Sequence, residues 1–369
     1  MPLLIDAHLD LSWNALSYDR DLTETKDVIN AREQGMTDCH ARGCATVSLP
    51  EMRRGGIAVC LGTVLARARP DLIPREGPKR ISLDYRSPET VYGIAHGQLA
   101  IYRVLEQQGH LAMIGTANEL KSHWEKWSTW EPATGANFQA PVGLILAMEG
   151  ADPIVTPSQA EEWFQYGLRV VNPVHYGHNQ YAVGTGESGP LTEAGVALLK
   201  EFDRVGIIVD ATHLSDPSFF QAMDVFSGPV IASHQHCRAL APNDRQFSDE
   251  QLQLLIERDA VIGAAFDSWM VIPNWVRGET PRSAVTLDHV VDHIDHICQL
   301  AGNHRHVAIG SDLDGGFGTV QVPERIESIA DLQLMEEVLD RRGYSAEAIN
   351  AIFHQNWMRF FLKHLPKSS

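Results

Sequence analysis

Cysteine is scarce in this chain. Five are spread over 369 residues (Cys39, Cys44, Cys60, Cys237 and Cys298), odd in number and without a CxxC pair. That spacing excludes a disulfide framework and a zinc knuckle. Positive charge is scarce as well: 30 Lys and Arg stand against 47 Asp and Glu, a net charge of −17. No basic stripe of the kind that nucleic acid requires is present. No apolar run approaches the ~18 residues of a membrane helix, so neither nucleic acid nor a membrane is expected as a partner. The opening MPLLIDAHLD carries no charged segment followed by an apolar stretch and a cleavage site, so a cytoplasmic location is expected. A G-x-S-x-G elbow is missing, and no cysteine has a convincing base partner. Covalent catalysis by a side chain is therefore disfavoured, and water activated by a metal is the better reading.

What is present is an apolar content of 44% with 21% charged residues, enough for a large core. Short apolar runs alternate with amphipathic segments for nearly the whole length, the pattern of an α/β protein. Eight runs are expected as strands: 3–8, 57–66, 142–149, 168–175, 206–213, 229–234, 260–266 and 307–312. They are rich in Val, Ile, Leu and Ala with little alternation, as strands buried on both faces are. A ninth run at 111–115 reads as an edge strand outside the main set. Helices are expected over 91–107, 193–205, 249–258 and 288–300, with starts at Thr192–Glu193 and Asp249–Glu250. The segments 67–86, 124–139 and 268–284 read as long loops, which in compact domains are usually functional. No linker divides the chain. The expectation is one domain over 1–369, a (β/α)8 TIM-type barrel, a fold that runs from about 250 residues to beyond 400.

The polar residues fall where chemistry would need them. Six of the eight runs end on His, Asp or Glu, in IDAHLD, LAMEG, NPVH, VDATH, IASH and, last, IGSDLDGG. In a barrel these ends converge on one face, the catalytic face of such folds. Burying several carboxylates and imidazoles together is costly without a counter-cation. His8 and Asp10 are two apart on an extended chain and point the same way, so both can grip one ion. Imidazole and carboxylate suit zinc, and also manganese or iron. Glu149 can bridge two cations through its two oxygens, and His213 and His234 would complete a second site. Two metals can clamp a hydroxide and lower its pKa towards neutrality. Asp312 is then placed to accept that proton and pass it on.

Taken together, IDAHLDLSWNAL, LAMEGAD, NPVHYGHN, VDATHLS, PVIASHQHCRALAPNDRQ and IGSDLDGG resemble the renal-type (membrane) dipeptidases of the amidohydrolase superfamily. The likeness runs from Ile5 to the C-terminal helix near Asn356. It implies that His8, Asp10 and Glu149 hold one divalent metal, and Glu149, His213 and His234 a second, zinc being the expected ion. It further implies that His175 stabilises the oxyanion, that Arg245 binds the substrate carboxylate, and that Asp312 shuttles the proton. The bridging Glu lies on the third barrel strand in this family, which agrees with leaving 111–115 outside the barrel. The implied substrate is a dipeptide, with a D-residue tolerated at its C-terminal position, and the implied assembly is a homodimer. Two departures stand out. The animal enzymes carry a disulfide beside the oxyanion histidine, where this chain has Gly177. Many members carry an aromatic residue where this chain has Asp267, which could bias the pocket towards a cationic group or simply cap a turn.

Other motifs have plainer readings. His289, His293 and His296 recur at helical spacing, but the adjacent stripe of Val290, Ile294 and Ile297 marks an amphipathic helix. His178 and His236 lie near the site in sequence, GTGESG reads as a loop, and Trp13 reads as a pocket wall or as rim packing. Two alternatives stay open: an amidohydrolase acting on N-acyl amino acids, lactams or lactones, and a metal-binding homologue without catalysis.

Overall fold

The computed structural model describes residues 1–69, 83–129 and 140–368. The strands are β1 (Leu4–Leu9), β2 (Ile57–Val64), β3 (Arg67–Ala68), β4 (Asp84–Tyr85), β5 (Leu111–Met113), β6 (Val142–Glu149), β7 (Leu168–Asn172), β8 (Ile208–Asp210), β9 (Val230–Ile231), β10 (Ile262–Ala264) and β11 (Val307–Ile309). Seven of the eight expected runs each contain one of them, and β1 runs one residue past the eighth, 3–8. Every residue of β1, β2 and β6 is buried, which is why those runs show no polar alternation.

The barrel strands are parallel and pair in the order β1-β2-β6-β7-β8-β9. A bridge from Ala232 to Ile262 leads into the parallel pair β10-β11. At the remaining seam the Asp6 carboxylate of β1 accepts the Ser311 N–H at 2.8 Å and the Ser311 hydroxyl at 2.5 Å, just past β11. The result is the barrel architecture the sequence implies. β5 pairs with the first half of β6, outside the ring, as expected of the ninth run.

Where β9, β10 and β11 meet, the chains approach unusually closely. A Cβ on Gly263 would lie 1.9 Å from the Ser233 carbonyl oxygen, and one on Gly310 would lie 1.7 Å from it. Only glycine fits at either position.

The expected helices form as Pro88–Gln107, Glu193–Val205, Asp249–Glu257 and Leu287–Ala301. Thr192 caps the second, accepting the Gly195 N–H at 3.0 Å. The third starts at Asp249, as expected, and is capped by Ser248 in a reciprocal box with Gln251. The three expected loops need correction. Residues 124–128 belong to a helix, Ala117–Ser128, whose buried Leu120, His123 and Trp127 lie on one face. The stretch 268–284 contains a short helix, Ser268–Val271, and a 3₁₀ turn, Arg282–Ala284. The ends of 67–86 pair as β3 and β4. Residues 70–82 and 130–139 lie outside the described residues.

Candidate metal centre and active site

The barrel strands are shorter than the apolar runs, so several polar residues sit just beyond strand ends rather than on them. His213 follows β8 by three residues at φ +71°, and Asp312 follows β11 by three at φ +59°. Non-glycine residues rarely hold this left-handed conformation, which costs of order 1–3 kcal/mol and is found at functional sites. It turns both side chains back over the barrel mouth.

There the five expected ligands meet. The nitrogen Nε2 of His8 lies 3.4 Å from Glu149 Oε1 and 3.7 Å from Asp10 Oδ1. On the other side of Glu149 Oε1, His213 Nε2 stands at 3.3 Å and His234 Nε2 at 3.5 Å. All five residues are at most 3% exposed. Ligand atoms of His8, Asp10 and Glu149 lie within 4.8 Å of one another, as do those of Glu149, His213 and His234. Asp312 reaches the same centre, its Oδ1 4.0 Å from His8 Nε2.

The charge state of this cluster follows from burial and from its neighbours. Burial alone would lower the pKa of His8, but the carboxylates of Glu149, Asp10 and Asp312 push it up to about 10. Burial, and then the neighbouring Glu149 charge, raise Asp10 to about 7. Asp312 is held well above the carboxylate range by burial and by its acidic neighbours. Burial and nearby cationic groups keep His213 and His234 neutral. Their Nε2 atoms are only 3.2 Å apart, and among the described residues the buried Nε2 of His8 has no hydrogen-bond partner. Three carboxylates and three inward-facing imidazole nitrogens in a buried pocket are a donor set that fits divalent cations.

The outward ring nitrogens are held by hydroxyls. Ser233 Oγ lies 2.8 Å from His234 Nδ1 and 3.4 Å from His8 Nδ1. Thr185 Oγ1 lies 3.0 Å from His213 Nδ1. Each imidazole can donate from Nδ1 and leave the Nε2 lone pair facing inward. Thr63 donates its hydroxyl to Asp10 Oδ1. Sequence reasoning missed these three hydroxyls. It also missed Asp210, whose carboxylate lies with His8 and His234 in a third close cluster. Asp210 accepts the Thr212 N–H at 3.1 Å and the Ser233 N–H at 2.9 Å. The Asp in VDATH, three residues before His213, was the available signal. GTGESG is a loop, as expected, yet it is the segment that supplies Thr185.

The remaining candidates line a cavity of about 140 Å³ over this centre, walled by Trp13, Leu65, Tyr176 and Met270. Trp13 thus lines the pocket and also packs on Tyr18 at 5.1 Å. Arg245 is 2% exposed and held by Gln235 Oε1 at 2.6 Å and the His234 carbonyl at 2.9 Å. The His175 Nε2 is 3.7 Å from Glu149 Oε2. Burial lowers the pKa of His175 to about 3, so the ring is neutral. Asp267 borders the same cavity while capping Ser268–Val271 and accepting Gln321 Nε2 at 2.7 Å. The turn-capping reading is thus observed directly.

Residues near the site only in sequence go elsewhere. His178 is exposed and pairs with Glu187, and His236 is buried against His293. Of the three helical histidines, His293 accepts the Cys237 N–H, His289 caps its own helix at Thr286, and His296 pairs with Asp249. They share no common point, as an amphipathic helix implies. Beside Gly177, Arg69 bonds the carbonyls of Tyr176 and His178, so a guanidinium braces this loop.

The model of the membrane dipeptidase family, peptidase family M19, matches residues 2–365. The chain belongs to this family. Among curated relatives, dipeptidase aclJ of Aspergillus oryzae is 30% identical over 235 residues, covering 62% of this chain and 53% of the relative. Dipeptidase verJ of Clonostachys rogersoniana is 28% identical over 223 residues, 59% and 54% of the two chains. The chain therefore spans about half the length of these two relatives. The fold of the family is seen in a Rhodobacter sphaeroides metallopeptidase crystallised with a phosphinate mimic of L-Ala-D-Ala. It shares 22% identity and a TM-score of 0.76, with 99% of each chain covered. The probable dipeptidase PvdM from Pseudomonas aeruginosa gives a TM-score of 0.74 at 17% identity, covering 100% of this chain and 96% of its own. A metallopeptidase family implies divalent metal, which the donor set described above fits. Among the described residues, no helix is long and apolar enough to cross a membrane.

Proposed function

We propose that this chain is a binuclear metallo-dipeptidase built as one barrel domain. The observation that carries the reading is the meeting of His8, Asp10, His213 and His234 around Glu149, whose Oε1 lies within 3.5 Å of three imidazole nitrogens. His8, Asp10 and Glu149 would hold one ion, and Glu149, His213 and His234 the other; zinc suits this mixed imidazole and carboxylate set. Ions held there supply Lewis acidity and a water acidic enough to attack at neutral pH.

The chain's own residues do the rest. Arg245 offers a planar pair of donors that matches a substrate carboxylate. Its place in the same small cavity as Glu149 favours a carboxylate close to the scissile bond, as in a dipeptide. His175 donates to the carbonyl oxygen as charge develops on it. Asp312 takes the proton from the attacking water and delivers it to the departing amine. The C–N bond breaks and two amino acids leave. Asp267, besides its capping role, biases the pocket towards a cationic substituent. A D-residue at the C-terminal position is accepted, a proposal supported by the L-Ala-D-Ala mimic carried by the Rhodobacter relative.

The test is a panel of L,L- and L,D-dipeptides, N-acyl amino acids and lactones on metal-loaded protein. Dipeptides are expected to turn over fastest. Arg245→Met should lower kcat/KM for them by roughly 30-fold or more, and by far less for a C-terminally amidated analogue. Asp267→Asn should penalise Lys- or Arg-bearing dipeptides most. Preference for acyl amino acids or lactones, or no turnover at all, would overturn the reading.

A further inference from the structure

The two ring nitrogens of His175 stand in different surroundings. The inner nitrogen, Nε2, is 3.7 Å from Glu149 Oε2, too far for a hydrogen bond, and it borders the cavity. The outer nitrogen, Nδ1, faces Arg67 NH1 at 3.3 Å. A guanidinium has only donors and stays charged in proteins. In this contact Nδ1 can only accept, so the ring proton sits on Nε2.

Arg67 has little freedom to turn away. Its Nε and NH2 fork onto the two oxygens of Asp84 at 2.7 and 2.9 Å, which leaves NH1 aimed at the imidazole. Its backbone N–H bonds the Leu83 carbonyl at 2.9 Å. The next residue is pinned as well: the Ala68 N–H donates to Asp152 Oδ1 at 2.8 Å, and Asp152 Oδ2 accepts Asn179 at 2.7 Å. The short ribbon of β3 and β4 is thus an arm that carries one donor to the outer edge of His175.

We propose that Arg67, braced by Asp84, is a positioning residue that fixes the orientation of His175 and its Nε2–H tautomer, so that this N–H faces the cavity. What that N–H does to substrate rests on the dipeptidase reading above; the assignment of Arg67 rests on the contacts alone.

The test uses zinc-loaded protein with nitrogen-15-labelled histidine, the His175 signals being those that vanish in His175→Gln. In the unsubstituted protein the spectrum should show a bare Nδ1 and a protonated Nε2 in a single tautomer. Arg67→Met should give a mixture of tautomers, and Arg67→Lys, which keeps a donor, should restore the single form at least in part. With the fold confirmed by circular dichroism, Arg67→Met should lower kcat on the order of tenfold or more while KM moves only a few-fold, as misorientation of a reacting group does. Asp84→Asn should fall between. A proton found on Nδ1, or Arg67→Met spectra identical to the parent, would overturn the proposal even if His175→Gln is inactive. A tautomer shift without loss of kcat upholds Arg67 and sinks the oxyanion role of His175.

Discussion

Asp6 and Ser311 close the barrel: one carboxylate takes both the N–H and the hydroxyl of a residue 305 positions away. The same carboxylate accepts the His8 N–H at 3.2 Å, so the seam and the first metal-ligand candidate share an anchor. Asp6→Ala would orphan buried donors, at about 1–3 kcal/mol. Urea unfolding of chelator-stripped protein should show this loss without any contribution from metal. A difference below ~0.5 kcal/mol, the usual range of a neutral surface change, would mean that the seam is held otherwise.

Purified protein should carry close to two divalent ions per chain, removable by chelation with loss of activity and restored by zinc or manganese. Glu149→Gln should lower occupancy of both sites, since each is proposed to use one of its oxygens. Full activity with one tightly held ion would rule out a bridge.

Asp312→Asn should reduce kcat on the order of 10²–10⁴, as loss of a general acid–base does. Metal content should fall far less than in His8→Ala or His213→Ala. Asparagine also tolerates the left-handed backbone at 312, so the substitution tests the proton and not the turn. Activity within a few-fold of the parent would refute the role.

Far from the site, Asp259 meets Arg359 at 2.9 Å, Lys363 at 3.0 Å and Arg305 at 3.3 Å. Partial burial would raise its pKa, but the three cations pull it down to about 2. A depressed carboxylate stabilises the fold above its unfolded value near 4, and that contribution is lost as pH falls towards 2. The stability gap between the parent and Asp259→Asn should be flat from pH 7 to about 4 and narrow below that. A gap that widens on acidification would reverse the sign of the argument.

The barrel was legible because strands buried on both faces, such as IAVCLGTV and VGLILAME, leave no room for polar residues until their ends. The metal ligand candidates were legible because His and Glu at such ends break that pattern. The helix over Trp124–Ser128 was hidden by its polar composition, although Leu120, His123 and Trp127 carry the helical spacing. Thr63, Thr185 and Ser233 could not be read: hydroxyl residues occur everywhere, and only folding brings these three against Asp10, His213 and His234. Nor does a sequence reveal that His213 and Asp312 turn through left-handed backbone.

The crowding at Ser233 has a consequence beyond packing. Its carbonyl is wedged against Gly263 and Gly310, while its hydroxyl serves the outer nitrogens of His8 and His234. A methyl group at either glycine could be accommodated only by pushing this serine outward, and with it the imidazoles it steadies. Two positions with no functional group at all are thereby tied to the proposed metal ligands through one serine. Damage there would move strand backbone, so it would register in the stability of the barrel as well as in ion affinity.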